Sequence, residues 1–132
     1  MGRDIVSAHS AQREASAAAA ELIAQLAGEQ PLAIVFFASE AALPGGRVAE
    51  MSAYAASKAG VLALMRAVAQ EERNSGVRSN ALAPTSIRTA SNVESMGPDV
   101  RYVEREEVAD AVKFLCFSPA SRTISGQVLQ LG

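Results

Sequence analysis

Residues 32–38 read Leu-Ala-Ile-Val-Phe-Phe-Ala, an unbroken apolar run that follows directly after Pro31. A run of this length without polar alternation is typical of a strand that is buried on both of its faces. Strands of that kind belong to parallel sheets that are covered by helices on either side. The run therefore predicts an α/β fold for the chain.

The segments next to this strand continue the same pattern. Residues 5–27 are rich in alanine, glutamate and glutamine and predict a helix that is closed by Gly28. After a loop, Ser52 is expected to be the N-cap of a second helix over residues 53–74, which Gly76 closes. Both helices are typical of the layers that cover a parallel sheet.

Further elements complete the pattern. Residues 77–83 predict a second buried parallel strand, and Pro84 follows directly and ends it. Residues 85–103 are polar and predict a loop with one short helix, and residues 104–117 predict a helix with an acidic first turn. Residues 126–131 alternate and predict a last strand. With no internal repeat and no long linker, the 132 residues are expected to form a single domain.

Charge and composition exclude several classes of protein. The net charge is −2 and no run of basic residues occurs, so neither nucleic acid nor an anionic membrane is the expected partner. Cys116 and His9 are the only cysteine and histidine, so no disulfide, metal site or Ser-His-Asp triad is expected. Cys116 is expected to be a buried, inert thiol. No apolar run approaches membrane-spanning length, and a cytoplasmic protein is expected.

The most chemically suggestive pair is Tyr54 and Lys58. The two residues are four positions apart, so they lie on one face of the predicted second helix. An ammonium beside a phenol favours the phenolate, which makes the tyrosine a candidate general acid or base. The alternative interpretation is a chance spacing, with Tyr54 at a packing interface and Lys58 as a solvated charge.

Small residues recur along the same helix. They occur at helical spacing, and their small side chains would let a neighbouring helix approach closely: Ala56, Gly60, Ala63 and Ala67. Because glycine inside a helix costs up to about 1 kcal/mol relative to alanine, Gly60 predicts a close contact with a neighbouring backbone.

The position of Ser39 adds to the case for a site. Ligands of open α/β sheets bind outside the carboxyl ends of the strands. Ser39 follows the first predicted strand directly, and Tyr54 and Lys58 lie on the helix that comes after it. Ser39 alone could simply end a strand, but together the hydroxyl, phenol and ammonium favour a site for a small carbonyl or alcohol.

The chain resembles the C-terminal half of a short-chain dehydrogenase/reductase, and the ketoreductases are the most similar members. The resemblance covers nearly everything from Leu32 onward, and the matching segments occur in the family's order. They are Tyr54-Ala55-Ala56-Ser57-Lys58-Ala59-Gly60, Val77-Arg78-Ser79-Asn80-Ala81-Leu82-Ala83-Pro84, Ile87 and Thr89, Glu107-Val108-Ala109 and Ile124-Ser125-Gly126-Gln127-Val128.

The resemblance implies roles for these residues. Tyr54 corresponds to the catalytic acid/base, Lys58 to the lysine that lowers the tyrosine pKa and binds the nicotinamide ribose, and Ser39 to the serine that hydrogen-bonds the substrate carbonyl. The segment that packs against the nicotinamide is matched by Pro84, Ile87 and Thr89. The implied reaction is hydride transfer between NAD or NADP and a small carbonyl or secondary alcohol.

The chain departs from the family pattern in four places. It has no G-x-x-x-G-x-G dinucleotide loop, so the resemblance implies a partial, doubly wound Rossmann-like sheet that is truncated on its N-terminal side. The family's helix asparagine has no counterpart among residues 9–12. Thr85 replaces the usual glycine, adding a side chain where backbone should approach the cofactor, and the segment between Ser39 and Tyr54 is longer than usual.

Two functional hypotheses follow from this resemblance. The chain is either a reductase half that needs another chain for cofactor binding, or a non-catalytic subunit that stabilises a full-length homologue. In both cases residues 5–27 and 53–74 are expected to form a helical interface in a homo- or hetero-oligomer, and the isolated chain is expected to be inactive. A third possibility, an α/β module for another ligand, has no positive support in the sequence.

Overall fold

The computed structural model describes residues 17, 18, 21 and 32–132. The strands are β1 (Leu32–Phe37), β2 (Val77–Pro84) and β3 (Val128–Leu131). The helices are α1 (Ser52–Glu71), α2 (Ala90–Met96) and α3 (Arg105–Phe117). Short 3-10 helices cover Glu40–Ala42, Arg73–Ser75 and Pro119–Ser121.

The three strands form one parallel sheet in the order β1-β2-β3. Leu32 pairs with Val77 at one end of the β1/β2 ladder, and β3 pairs with the second half of β2 from Ala81 onward. Parallel neighbours need helical crossovers, which α1 supplies between β1 and β2, and α2 and α3 supply between β2 and β3. The predicted α/β class and the partial Rossmann-like sheet are confirmed.

Successive residues of β2 point to opposite faces of the sheet, and each face is covered by a different helix. Ala81 and Ala83 pack against Leu62 and Met65 of α1. Leu82 packs on the other face, in a cluster with buried side chains of α3 such as Leu115. The small alanine side chains let α1 lie close to the sheet, and the result is a helix–sheet–helix sandwich.

Burial differs between the two strands that the sequence predicts to be buried on both faces. Strand β2 is central and almost completely buried, as expected. Strand β1 is only half-buried, and its last residue, Phe37, is 45% exposed. In the part of the chain that the structure describes, no strand pairs with the outer edge of β1. The prediction of full burial is therefore wrong for β1.

The ends of the elements differ in detail from the sequence predictions. Ser52 is the first residue of α1 rather than its N-cap, and Met51 precedes it without a side-chain cap. The α-helix ends at Glu71, earlier than predicted, and a 3-10 turn leads to Gly76. Gly76 has φ of +75°, which confirms its predicted left-handed conformation. Strand β3 begins at Val128 instead of Gly126.

The helix predicted over residues 5–27 lies mostly outside the described residues. Ala17, Ala18 and Glu21 are described, and all three are helical. The interface predicted for this helix and the residues 9–12 near the expected asparagine also lie outside the described part.

Asn80 ties the segment before β3 to the central strand. Its side chain is 1% exposed, and its Nδ2 donates to the carbonyl oxygen of Ile124 at 2.9 Å. Its Oδ1 accepts from the main-chain N–H of Gln127 at 3.0 Å. One buried amide thus satisfies a donor and an acceptor of the loop that sets the position of β3.

Two sequence expectations about single side chains are corrected. Cys116 is partly exposed rather than buried. Gly60 is exposed, and a Cβ atom at this position would meet nothing within 4 Å. The close backbone contact predicted for Gly60 is absent within the described residues. None of the described helices is both long and apolar enough to span a membrane.

Candidate active site

Lys58 links the second helix to the carboxyl end of the first strand. Its Nζ donates a hydrogen bond to the main-chain carbonyl oxygen of Phe37, the last residue of β1, at 3.2 Å. The same Nζ lies 5.9 Å from the centre of the Tyr54 ring. The structure therefore brings the predicted pair together at the edge of the sheet where ligands of this fold class bind.

Tyr54 stands in the first turn of α1 and is 48% exposed. Its main-chain oxygen accepts a hydrogen bond from the hydroxyl of Ser57 at 2.8 Å, which steadies the start of the helix. The ring is thus both accessible to a ligand and near a cation. This arrangement suits a phenol that exchanges a proton with a bound molecule.

Ser39 follows β1 after a single intervening residue and is 7% exposed. Its Oγ accepts from the main-chain N–H of Ala41 at 3.3 Å and caps the 3-10 helix Glu40–Ala42. Just before it, the N–H of Ala38 donates to the carbonyl oxygen of Leu82 at 2.8 Å, extending the β1/β2 pairing to this edge. The serine oxygen is an acceptor in this cap, and its O–H meets no acceptor among the described residues.

The loop after Ser39 is folded tightly back on itself. The N–H of Leu43 donates to Glu40 O at 2.9 Å, and the N–H of Gly46 donates to Leu43 O at 2.9 Å. A Cβ atom at Gly46 would collide with the carbonyl oxygen of Glu40. Gly46 is therefore required for the close approach that holds Ser39 in place, a role that the sequence analysis did not assign.

The segment predicted to contact the nicotinamide begins at the carboxyl end of β2. Pro84 is the buried last residue of that strand. Ile87 forms an isolated parallel bridge with Val103, and Thr89 caps α2 by accepting from the N–H of Asn92 at 3.1 Å. Residues 84–89 therefore run from the carboxyl end of β2 to the start of α2. Contacts within the chain fix the positions of Ile87 and Thr89.

Asn92 is a second positioning residue that the sequence analysis missed. Its Nδ2 donates to the carbonyl oxygen of Ile87 at 2.7 Å, and its main-chain N–H donates to the Thr89 hydroxyl oxygen. Asn92 lies three residues after Thr89, a spacing typical of a helix N-terminus, and this signal could have identified it. The two bonds determine the turn between Ile87 and the start of α2.

Thr85 takes the place of the family's glycine. Its N–H donates to the carbonyl oxygen of Leu131 at 3.0 Å, which continues the pairing of β2 with β3. A Cβ atom at Gly132 would collide with the Thr85 hydroxyl, so the extra side chain lies beside the backbone at the end of β3.

Comparisons with known proteins bear on the family and the fold of the chain. A family model described as "Enoyl-(Acyl carrier protein) reductase" matches residues 4–131. A 3-oxoacyl-[acyl-carrier-protein] reductase of Synechocystis sp. is 38% identical over 85 residues, which cover 59% of this chain and 34% of that protein.

Solved structures show the same fold. A 7α-hydroxysteroid dehydrogenase in complex with NADH and 7-oxo glycochenodeoxycholic acid superimposes with a TM-score of 0.66 and 30% identity, covering 75% of this chain and 42% of that chain. A 3-ketoacyl-(acyl-carrier-protein) reductase from Brucella melitensis in complex with NADH gives a TM-score of 0.65 and 25% identity, covering 83% and 46%.

This chain therefore spans less than half the length of these three relatives. The match of the family model nevertheless extends over almost all of its residues, and the predicted resemblance is confirmed. The chain belongs to the short-chain dehydrogenase/reductase family.

Proposed function

We propose that this chain is the catalytic half of an oxidoreductase that interconverts a small carbonyl compound and a secondary alcohol. The observation that carries the proposal is the bond from Lys58 to Phe37, which holds a cation beside the exposed ring of Tyr54. Family membership supports the reaction class, and the reductase and dehydrogenase names of the relatives agree with it.

The chain's own residues would transfer the proton and bind the substrate oxygen. Ser39, whose O–H meets no acceptor in the described part of the chain, can donate to the carbonyl oxygen. Tyr54 exchanges a proton with that oxygen, and Lys58 holds its positive charge beside the tyrosine ring. The hydride is supplied by a nicotinamide cofactor when that cofactor is bound.

The residues present fit the nicotinamide end of such a cofactor. An ammonium has three N–H donors. Lys58 donates one to the carbonyl oxygen of Phe37, and the other two can donate to a ribose hydroxyl. The hydroxyl of Thr89 accepts from Asn92 and keeps its proton for a carboxamide oxygen. The remaining contacts would come from Tyr54, Pro84 and Ile87. The structures of two relatives contain NADH, and the choice here lies between NAD and NADP.

A second chain would supply the dinucleotide site. The 132 residues contain no G-x-x-x-G-x-G loop to receive the pyrophosphate. The half-buried strand β1, with Phe37 exposed, supports the addition of further structure along its outer edge. The exposed small residues of α1, Ala56, Gly60 and Ala63, support a helical interface formed by residues 5–27 and 53–74, with a full-length reductase as one partner.

The test is the Tyr54→Phe variant in a complex with a co-expressed reductase chain that carries the Gly-rich half. Reduction of acetoacetyl-CoA by NADH and by NADPH is measured, and about a hundredfold loss or more is expected because the proton donor is removed. Ser52→Ala, an exposed neighbour in the same helix turn, is the control and keeps full activity.

The alternative function is a non-catalytic subunit that stabilises a full-length homologue. The open space around Gly60 suits a helical interface in either case, and the lack of a G-x-x-x-G-x-G loop in the 132 residues favours the non-catalytic role. Unchanged activity of the complex with Tyr54→Phe, together with loss of the complex with Gly60→Leu, would establish this role. The catalytic proposal would then be wrong.

A further inference from the structure

An open groove lies at the edge of the sheet opposite to Tyr54. It has a volume of about 840 Å³ and is bounded by the C-terminal half of α1, the start of β2 and the turn after α3. Among the residues that the structure describes, its lining contains four arginines, Arg66, Arg73, Arg78 and Arg122, and no aspartate or glutamate. Four of the twelve basic residues of a chain with net charge −2 are thus gathered in one concave place.

Arg78 is part of the wall of this groove. Its Nη1 donates to the carbonyl oxygen of Ser121 at 3.0 Å, and its Nη2 donates to that of Cys116 at 3.5 Å. These bonds hold the end of α3 and the following turn against β2. The guanidinium therefore contributes a fixed positive charge to the groove.

The other three arginines are not committed to carboxylates within the described residues. Arg66 and Arg73 are seven positions apart, so they extend from one face of α1 and its 3-10 continuation, and Arg122 stands on the opposite wall. All three are exposed. The ion pairs formed in the described part of the chain join Arg88 to Glu104 and Lys113 to Asp110, away from the groove.

We infer that this groove binds a small molecule that carries a phosphate or diphosphate group. The planar guanidinium forms paired hydrogen bonds to phosphate oxygens, which distinguishes it from a simple point charge. Hydroxyl donors of Ser118 and Thr123 lie in the same lining. The volume is in the range of sites for small ligands, whereas the net negative charge of the chain would repel an extended polyanion.

The inference is independent of the proposed oxidoreductase function. Strand β2 begins in the groove at Val77 and reaches the Tyr54 edge at Pro84, so the two sites lie at opposite ends of one strand. A ligand of the groove would not touch the residues proposed for catalysis.

Calorimetric titration of the purified chain with inorganic pyrophosphate tests the inference. Sodium chloride at matched ionic strength serves as the blank. Saturable binding of one pyrophosphate per chain is expected. Arg122→Gln, and separately the double change Arg66→Gln with Arg73→Gln, are expected to weaken it about tenfold or more, because each removes charge-assisted hydrogen bonds. Arg101→Gln, an exposed arginine outside the groove, is expected to leave binding unchanged.

Thermal unfolding of each variant confirms that folding is intact, since the changed arginines are exposed and Arg78 is left in place. The inference is overturned if pyrophosphate gives no saturable binding, or if Arg101→Gln weakens binding as much as the groove variants. Binding of long polyphosphate without binding of pyrophosphate would also overturn it, because it would indicate a surface for an extended polyanion.

Discussion

The ammonium of Lys58 and the main-chain carbonyl of Phe37 are joined by a hydrogen bond of 3.2 Å. This bond connects the second turn of α1 to the last residue of β1, across 21 positions of sequence. It places the cation 5.9 Å from the ring centre of Tyr54. The relative position of phenol and ammonium is therefore a property of the fold itself.

Replacing Lys58 with methionine should abolish catalysis while leaving the fold intact. The change removes the bond to Phe37 and the charge beside Tyr54, so activity of the complemented complex should fall about a hundredfold or more. The free energy of unfolding should fall by only about 1 kcal/mol, because the bond is exposed. Lys113→Met, which removes an exposed charge from α3, is the control; equal losses for both would contradict the assigned role.

The isolated chain should show no nicotinamide-dependent turnover, because its sequence lacks the loop that binds the pyrophosphate. The absorbance of NADH and NADPH is followed with the purified chain and acetoacetyl-CoA, then again after a chain with the Gly-rich half is added. Carbonyl reduction by the purified chain alone would refute the expectation.

Gly60 should respond in opposite ways to a small and a large side chain. A Cβ atom there meets nothing within 4 Å, so Gly60→Ala should raise the free energy of unfolding by up to about 1 kcal/mol through higher helix propensity. Gly60→Leu should lower the mass measured by light scattering, because a bulky side chain would separate the packed helices. A wild-type chain that is already monomeric would rule out the predicted interface.

Asn80 should be important for stability although it lies outside the proposed site. Asn80→Ala leaves the N–H of Gln127 without its partner and leaves the carbonyl of Ile124 only the 3.5 Å bond from Arg78, which should cost about 2–4 kcal/mol. Chemical denaturation measures the loss, and the exposed Asn74→Ala should change stability by less than about 0.5 kcal/mol. Similar values for the two variants would show that the buried amide has no special role.

Local sequence signals were sufficient for most of the architecture. The apolar run at 32–38 and the proline at the end of β2 predict two parallel strands, because burial on a sheet requires such composition. Gly76 predicts the turn before β2, because glycine adopts positive φ at low cost. The same signals overestimated the burial of β1, because burial depends on neighbouring strands. They also placed the start of α1 one residue after Ser52, because helix starts vary by a residue.

The roles of Gly46 and Arg78, and the bond from the Asn92 side chain to Ile87, could not be predicted from neighbouring residues. Gly46 is needed because the loop returns to the backbone of Glu40, and Asn92 because it reaches the carbonyl of Ile87. Arg78 looks like a solvated charge on a strand, yet it bonds main-chain oxygens of residues about forty positions away. The segments that these contacts join come close to each other only when the chain folds.

The sequence by itself determined the α/β class through the composition of its strands and the family resemblance through the order of its matching segments, and it identified the pair Tyr54 and Lys58 by their spacing along one helix. Only the tertiary structure decided that Lys58 bonds the end of β1, that Ser39 caps a 3-10 helix, and that four arginines line one groove. The physical reason is that these arrangements depend on distances between segments far apart in the chain, which exist only after the helices pack against the sheet.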